Sequence, residues 1–135
     1  MDNNVKVFLG VIGLLILGVI GTVILRSSGG NVPAGPGKYD TFATCLKDKG
    51  ATFYGAFWCP HCQAQKKLFG SSAKLLSYVE CSTADGSGQN QICKDKNISG
   101  YPTWELADGT RLPVENSAGV TLETLAAKTS CELPQ

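Results

Sequence analysis

Two regions of the chain differ sharply in their pattern of apolar and polar residues. Residues 7–25 (VFLGVIGLLILGVIGTVIL) contain no charge, and only Thr22 is polar. A helix of this length rises about 1.5 Å per residue and roughly spans the hydrocarbon core of a bilayer. The pattern therefore predicts an uncleaved membrane anchor over residues 1–26. A cleaved signal peptide is the alternative, because residues 27–29 (SSG) offer a weak cleavage site.

The next segment has a different composition. Residues 27–37 (SSGGNVPAGPG) are rich in glycine and proline. This composition is typical of a flexible linker rather than a packed element. The folded domain is therefore predicted to cover residues 38–135.

Apolar residues in the folded domain recur at helical and strand spacings. The pattern predicts, in chain order, helix, strand, helix, strand, helix, strand, strand and helix over residues 39–49, 51–57, 59–69, 77–81, 90–96, 103–107, 110–114 and 121–129. Asp40 and Thr121 are the expected N-caps, and Gly50 is an expected stop. Asp108-Gly109 predicts a two-residue hairpin turn. This alternation predicts an α/β sandwich with a mixed sheet flanked by helices.

Composition narrows the function classes. The 135 residues are 43% apolar and 17% charged, with a net charge of +1. Such a balance favours one globular domain and argues against a nucleic-acid partner. Six cysteines indicate an oxidising compartment, so the C-terminal domain is expected on the periplasmic or extracellular side of a membrane. One histidine leaves little scope for a metal site, and no metal or other cofactor is predicted.

The pattern Cys59-Pro60-His61-Cys62 follows a predicted buried strand and opens a predicted helix. Free backbone N–H groups and the helix dipole at this position stabilise a Cys59 thiolate. Pro60 suits the first helical turn, because its missing N–H has no partner there. His61 adds a donor or a positive charge near the sulfur. Cys62 lies one turn on, close enough to close a disulfide with Cys59.

The motif has two other interpretations. It can be half of a zinc site, but zinc needs three or four ligands and the chain has no second C-x-x-C or H-x-x-x-H pattern. It can also be a purely structural disulfide. Both are weaker than a redox interpretation, because neither needs the strand-to-helix setting.

A second motif, Gly100-Tyr101-Pro102-Thr103, precedes a predicted strand. Together with Trp58-Cys59-Pro60-His61-Cys62 it resembles the thioredoxin superfamily over residues 38–135. The resemblance implies that Cys59 is the attacking cysteine and Cys62 the resolving one. It also implies that Pro102 is a cis-proline beside them.

Longer stretches, GATFYGAFWCPHCQAQKKLFG, YVEC and GYPTWEL, resemble the thioredoxin-like domain of bacterial vitamin K epoxide reductase homologues. This resemblance implies a quinone-linked membrane partner that reoxidises the cysteine pair. One position departs from the wider family pattern. Many thioredoxins carry a buried acid six residues before the first cysteine, where this chain has Phe53. Glu80 is either a substitute for that acid or a solvated strand residue.

Four further cysteines form an even set, which allows three pairings. The simplest joins Cys81 to Cys93 and leaves Cys45 for Cys131, as structural disulfides. The alternative is a second pair that carries electrons.

The prediction is a membrane-anchored, single-pass thiol–disulfide oxidoreductase that oxidises the thiols of client proteins. The alternatives are a reductase of the same fold and a non-enzymatic adaptor that binds thiols or metal. Trp58, Tyr101 and Trp104 are expected either to shape a peptide-binding surface or, for Trp104, to lie in the core. Lys66 and Lys67 are expected on a solvated helix face.

Overall fold

The computed structural model describes residues 35–135 and the isolated positions Asp2, Leu9 and Ile12. The predicted anchor and most of the predicted linker lie outside the described residues. Among the residues that are described, no helix combines the length and the apolar character needed to cross a bilayer.

The described domain contains the predicted elements in the predicted order. They are α1 (Asp40–Asp48), β1 (Thr52–Gly55), α2 (Pro60–Phe69), a 3₁₀ segment (Gly70–Leu75), β2 (Ser77–Glu80), α3 (Gln91–Asp95), β3 (Thr103–Glu105), β4 (Arg111–Leu112) and α4 (Leu122–Thr129). Thr121 caps α4 as expected, because its side chain accepts the Thr124 N–H. The N-cap of α1 is Tyr39, so the cap assigned to Asp40 was wrong. The Asp40 carboxylate instead accepts the Gly37 N–H at 2.9 Å.

The four strands form one sheet in the order β2-β1-β3-β4. β1 runs parallel to β2 and antiparallel to β3, and β3 runs antiparallel to β4. The prediction of a mixed sheet is therefore confirmed. β1 and β2 end side by side, since Gly55 is the register partner of Glu80.

Both faces of this sheet are covered. Phe53 and Tyr54 are neighbours in β1 and point to opposite faces, as successive strand residues must. The Phe53 side carries the larger core, to which α1, α2 and α4 contribute Phe42, Leu46, Phe69, Leu122 and Leu125. The Tyr54 side carries a smaller cluster with Cys81, Cys93 and Ile98. Helices on both faces produce the expected sandwich.

The turn between β3 and β4 differs from the prediction. Leu106 donates to the Thr110 carbonyl at 2.8 Å, and Gly109 donates to the Leu106 carbonyl at 2.9 Å. The loop therefore has three residues, 107–109, and not the predicted two. Gly109 occupies the left-handed region with φ of 83°, as the last residue of a three-residue hairpin loop usually does. The two strands are accordingly shorter than the runs predicted from the sequence.

Candidate active site

The first cysteine of the C-x-x-C motif lies where the sequence predicts it. β1 ends at Gly55, and Cys59 is the N-cap of α2 in an extended conformation, with Pro60 in the first turn. The Cys59 sulfur accepts the Cys62 N–H at 3.3 Å. One free N–H of the helix N-terminus is thus directed at the sulfur, an arrangement that stabilises negative charge on it.

The structure brings Cys59, Cys62 and Pro102 together. Tyr101-Pro102 is a cis peptide bond, in agreement with the family resemblance. The Tyr101 carbonyl oxygen lies 3.8 Å from the Cys59 sulfur, which donates to it. Cys59 is 4% exposed and Cys62 is 1% exposed. Both cysteines are thus nearly fully buried, and Cys59 keeps the larger exposed fraction of the two.

The two thiols differ in their surroundings. Burial raises the pKa of Cys62 to about 12, with a further contribution from its hydrogen bond to Cys59. Cys62 is therefore a thiol at neutral pH. Because only a thiolate attacks a disulfide, Cys62 must lose its proton before it can react.

His61 is exposed and points to a different loop. Its Nδ1 lies 2.6 Å from the carbonyl oxygen of Ser117. A carbonyl can only accept a hydrogen bond, so Nδ1 carries the hydrogen in this contact. The contact joins the His61 ring to the loop before α4.

Sequence reasoning missed Gln65. Its side chain is fully buried and forms a pair of hydrogen bonds with one backbone unit. Nε2 donates to the Val120 carbonyl at 2.9 Å, and Oε1 accepts the Val120 N–H at 2.7 Å. A side chain at Gly119 would collide with Gln65 Oε1, and Gly119 has a φ of 98°. Gln65 therefore holds the loop that carries Ser117 against the redox helix.

A signal for Gln65 was present in the sequence. Cys62, Gln65 and Phe69 have the 3–4 residue spacing of one helix face, and all three are buried. A polar residue on the buried face of a helix needs a specific partner, because its burial is otherwise costly.

Phe53 occupies the position of the buried acid found in many relatives. It is fully buried, stacks on Trp104 with ring centroids 5.1 Å apart, and meets Tyr78 edge-on at 5.2 Å. It offers no group that can carry a proton. Any proton transfer to Cys62 must use other residues.

Glu80 is more than a solvated strand residue. Its Oε1 accepts the N–H groups of Phe57 at 3.2 Å and Ser82 at 2.9 Å. Its Oε2 accepts the hydroxyl of Tyr78 at 2.8 Å. The carboxylate thus fixes the segment leading to Cys59 and contacts a phenol beside the site.

An aromatic surface borders Cys59. Phe57 is 50% exposed and Trp58 is 51% exposed. Trp58 donates from Nε1 to Ser82 at 2.8 Å and meets the Tyr101 ring edge-on at 6.1 Å. Trp104, by contrast, is fully buried, so its place is in the core rather than on a peptide-binding surface.

The remaining four cysteines are paired as the simplest assignment predicts. Disulfides join Cys45 to Cys131 and Cys81 to Cys93. Within residues 35–135, Cys59 and Cys62 are the free cysteines. None of the four bridged cysteines belongs to α2, at whose start a thiolate is stabilised.

Comparisons with known proteins agree with this geometry. The profile of the family described as Thioredoxin matches residues 40–130. The chain is also similar to the thiol-disulfide oxidoreductase LTO1 of Arabidopsis thaliana, with 40% identity over 94 residues. The match covers 67% of this chain and 24% of the Arabidopsis protein. The chain thus corresponds to about a quarter of that relative's length.

Proposed function

Because this chain belongs to the thioredoxin family, we propose that it is a protein thiol–disulfide oxidoreductase that acts through Cys59 and Cys62. The observation that carries the proposal is the Cys59 sulfur at the start of α2, where it accepts the Cys62 N–H beside Pro102. The relative in Arabidopsis thaliana bears the same activity in its name.

In the oxidising direction, a client thiolate attacks Cys59 of the Cys59–Cys62 disulfide. The bond between the two cysteines breaks, and Cys62 leaves as a thiolate that takes up a proton. A second client thiolate then attacks the client sulfur of the mixed disulfide and releases Cys59 as a thiolate. The client gains a disulfide, and two electrons pass to the cysteine pair.

The direction of transfer depends on how strongly the reduced form is stabilised. The helix N-terminus favours a Cys59 thiolate, and this favours the oxidant, because a stabilised reduced form makes the disulfide a stronger acceptor. The rival is a reductase of the same fold. Equilibration with glutathione separates them: a reduction potential near −120 mV identifies an oxidant, and one near −270 mV identifies a reductase.

The proposal extends to a membrane partner. The uncharged residues 7–25 support an anchor, and two disulfides outside the redox motif support a non-cytosolic compartment for the domain. The resemblance to domains of vitamin K epoxide reductase homologues supports a quinone-linked membrane oxidoreductase as the protein that reoxidises Cys59 and Cys62.

Client proteins would be bound at the aromatic surface of Phe57 and Trp58. Adjacent exposed apolar side chains can mark an interaction site, and Trp is enriched among the residues that dominate binding. Ser82 and Tyr101 hold Trp58 in place, so it presents a fixed apolar face to an extended, unfolded client segment. Such a surface would accept many sequences around a client cysteine.

The test of the function uses two cysteine variants and a reduced client peptide with two thiols. Cys59→Ala should abolish exchange, because the attacked sulfur is gone. Cys62→Ala should accumulate a mixed disulfide between Cys59 and the client, visible on a non-reducing gel. Lys67→Ala, an exposed change on the same helix, serves as the control and should exchange normally.

Two results would contradict the proposal. If the wild-type protein binds the peptide without oxidising it or forming any mixed disulfide, the protein is an adaptor. If Cys59→Ala still forms a mixed disulfide, Cys59 is not the attacking cysteine.

A further inference from the structure

The resolving cysteine is closed off from solvent. Cys62 is 1% exposed, and its thiol is the form present at neutral pH. In the proposed function, a proton must leave Cys62 when it attacks and return when it is displaced. Because Cys62 is almost fully buried, neighbouring side chains are the groups placed to receive this proton.

The Tyr78 hydroxyl lies near the Cys62 sulfur. A Cβ atom placed on Gly55 would lie 3.0 Å from the Cys62 sulfur and 3.3 Å from the Tyr78 hydroxyl oxygen. Both atoms therefore approach one point above the end of β1, where glycine leaves room for them. A side chain at position 55 would separate the sulfur from the phenol.

Glu80 is the hydrogen-bond partner of Tyr78. It lies two residues after Tyr78 on the same face of β2, and its Oε2 accepts the Tyr78 hydroxyl at 2.8 Å. Tyr78 and Glu80 are both partly exposed, unlike Cys62. The three groups thus form a series from the buried sulfur to a partly exposed carboxylate.

Lys66, Glu80 and burial together determine the surroundings of the Tyr78 phenol. The Lys66 amine lies over the Tyr78 ring, 3.4 Å from its centroid. Burial, together with the hydrogen bond to Glu80, raises the pKa of Tyr78, so the phenol keeps its hydrogen at neutral pH. The ionisable groups that face or border Tyr78 are Cys59, Cys62 and Lys66 from the start and body of α2, Lys74 from the 3₁₀ segment, and Glu80 from β2.

We propose that Tyr78 and Glu80 form the proton relay of Cys62, in place of the acid that Phe53 replaces; the proposal rests on the thiol–disulfide exchange proposed above. As Cys62 attacks Cys59, the Cys62 proton moves to the Tyr78 oxygen while the Tyr78 hydroxyl proton moves to Glu80 Oε2. The new bond joins the two cysteine sulfurs, and the partner sulfur leaves Cys59 as a thiolate. Glu80 then releases its proton to water. When the Cys59–Cys62 bond is broken, the same transfers run in reverse.

The test isolates the step in which Cys62 reacts. The reduced full-length protein is mixed with an excess of the aromatic disulfide 5,5′-dithiobis(2-nitrobenzoate), and release of thionitrobenzoate is followed. The first phase is attack by Cys59 on the reagent. The second is attack by Cys62 on the mixed disulfide at Cys59, which releases a second thionitrobenzoate.

Two variants remove single links. In Glu80→Gln the amide oxygen can keep both backbone hydrogen bonds of Oε1, while the amide nitrogen replaces the oxygen that accepts from Tyr78. Tyr78→Phe removes the hydroxyl but keeps the ring beneath Lys66. The matched controls are Glu123→Gln on the exposed face of α4 and Tyr39→Phe, a partly buried tyrosine before α1.

Both relay variants should slow the second phase by about tenfold or more, since general acid–base transfer contributes about 10²–10⁴-fold to a rate. The first phase should stay within about twofold of wild type, and so should both phases in the controls. The second phase of the relay variants should rise about tenfold per pH unit, because hydroxide then removes the proton, while the wild-type rate rises less steeply.

The proposal is overturned if the second phase of either relay variant keeps the wild-type rate and pH profile. It is also overturned if both phases slow equally, because the damage is then to the site as a whole. A wild-type protein whose Cys59 does not react in the first phase would instead contradict the proposed function.

Discussion

Gln65 shows how one buried amide can organise the surroundings of a redox helix. Its side chain bonds to the backbone N–H and C=O of Val120, as the backbone of a neighbouring strand would. The same loop carries the Ser117 carbonyl that accepts from His61. The position of His61 therefore depends on a residue one turn further along α2.

Gln65→Ala should lower the free energy of unfolding by about 2 kcal/mol or more. The reason is that it leaves both polar groups of Val120 buried without partners, at about 1–3 kcal/mol for each such group. Denaturant unfolding measures the loss. Lys67→Ala on the exposed face of the same helix should change stability by less than about 0.5 kcal/mol. Equal stability of Gln65→Ala and wild type would show that the loop is held by other contacts.

Glu105 on β3 is, like Gln65, a buried polar side chain with specific partners, but it is charged. It is largely buried and accepts from Lys96 and Arg111, each at 3.1 Å. Burial raises the pKa of Glu105, but the hydrogen bonds and charges of Lys96 and Arg111 lower it by more. The pKa of Glu105 therefore lies below its ordinary value of 4.5. A carboxylate with a lowered folded-state pKa stabilises the protein above its unfolded pKa.

Glu105→Gln should therefore lower stability at neutral pH by on the order of 1 kcal/mol, because both partners are partly solvated. The gap to wild type should stay constant down to about pH 5 and close as pH falls below about 4.5, where the wild-type carboxylate takes up a proton. Denaturant titrations across pH measure this difference, with Glu123→Gln as control. A gap that widens in acid would contradict the sign of the shift.

The sequence motifs predicted the candidate redox residues, whereas the partners of the residues that support them could not be predicted. Cys59, Cys62 and Pro102 stand in short motifs whose spacing carries the chemistry. Gln65 and Tyr78 act through contacts with chain segments 55 and 23 residues away, Val120 and Gly55. Such contacts depend on how the elements pack, which local pattern does not specify.

At the scale of elements, periodicity located each helix and strand but not every boundary. The helix that starts at Pro60 ends at Phe69, and the chain continues through the 3₁₀ segment Gly70–Leu75. The sequence GSSAKL has no apolar periodicity that would reveal this turn. The β3–β4 loop is likewise one residue longer than its Asp-Gly signal suggests, because Ala107 joins the turn.

The two disulfides join elements that are separated by very different lengths of chain. Cys45–Cys131 has a sequence separation of 86 and ties α1 to the segment after α4. Cys81–Cys93 has a separation of 12 and sits in the cluster beneath Tyr54. A longer closed loop restricts the unfolded chain more strongly.

Replacing both cysteines of each pair by alanine should therefore have unequal effects. From the entropy of the closed loop in the unfolded chain, loss of Cys45–Cys131 should lower the free energy of unfolding by about 4–5 kcal/mol. Loss of Cys81–Cys93 should lower it by about 3 kcal/mol. Denaturant unfolding with Cys59 and Cys62 reduced measures both, and the folded fraction should still exchange disulfides with a client peptide. Lost exchange at unchanged stability would make that pair part of the electron path.

At the scale of the whole molecule, the sheet order decides where the site forms. The crossover through α2 places β2 parallel to β1, so the carboxyl ends of both strands meet at Gly55 and Glu80. The alternation of elements predicted a mixed sheet, but it did not specify this order. The meeting of Cys62, Tyr78 and Glu80 follows from that order and was beyond the sequence pattern.

The proposed topology makes a prediction for the full-length protein in its native membrane. It should stay in the membrane fraction after an alkaline carbonate wash, because residues 7–25 would span the bilayer. In intact cells or sealed vesicles, Cys59 should react with a membrane-impermeant maleimide only from the non-cytosolic side. Recovery of a soluble form that lacks residues 1–29 would instead identify a cleaved signal peptide.

The Cys45–Cys131 bridge also determines how the domain bears mechanical load. Tension applied to the chain before Cys45 and after Cys131 passes from one sulfur to the other and bypasses the sheet. The bridge closes a loop with a sequence separation of 86, which would span roughly 300 Å if fully extended. A pull on the flanking segments cannot extend this loop while the bridge is intact. A partner that drags on either end therefore cannot unravel the redox site until a reductant has opened that bridge.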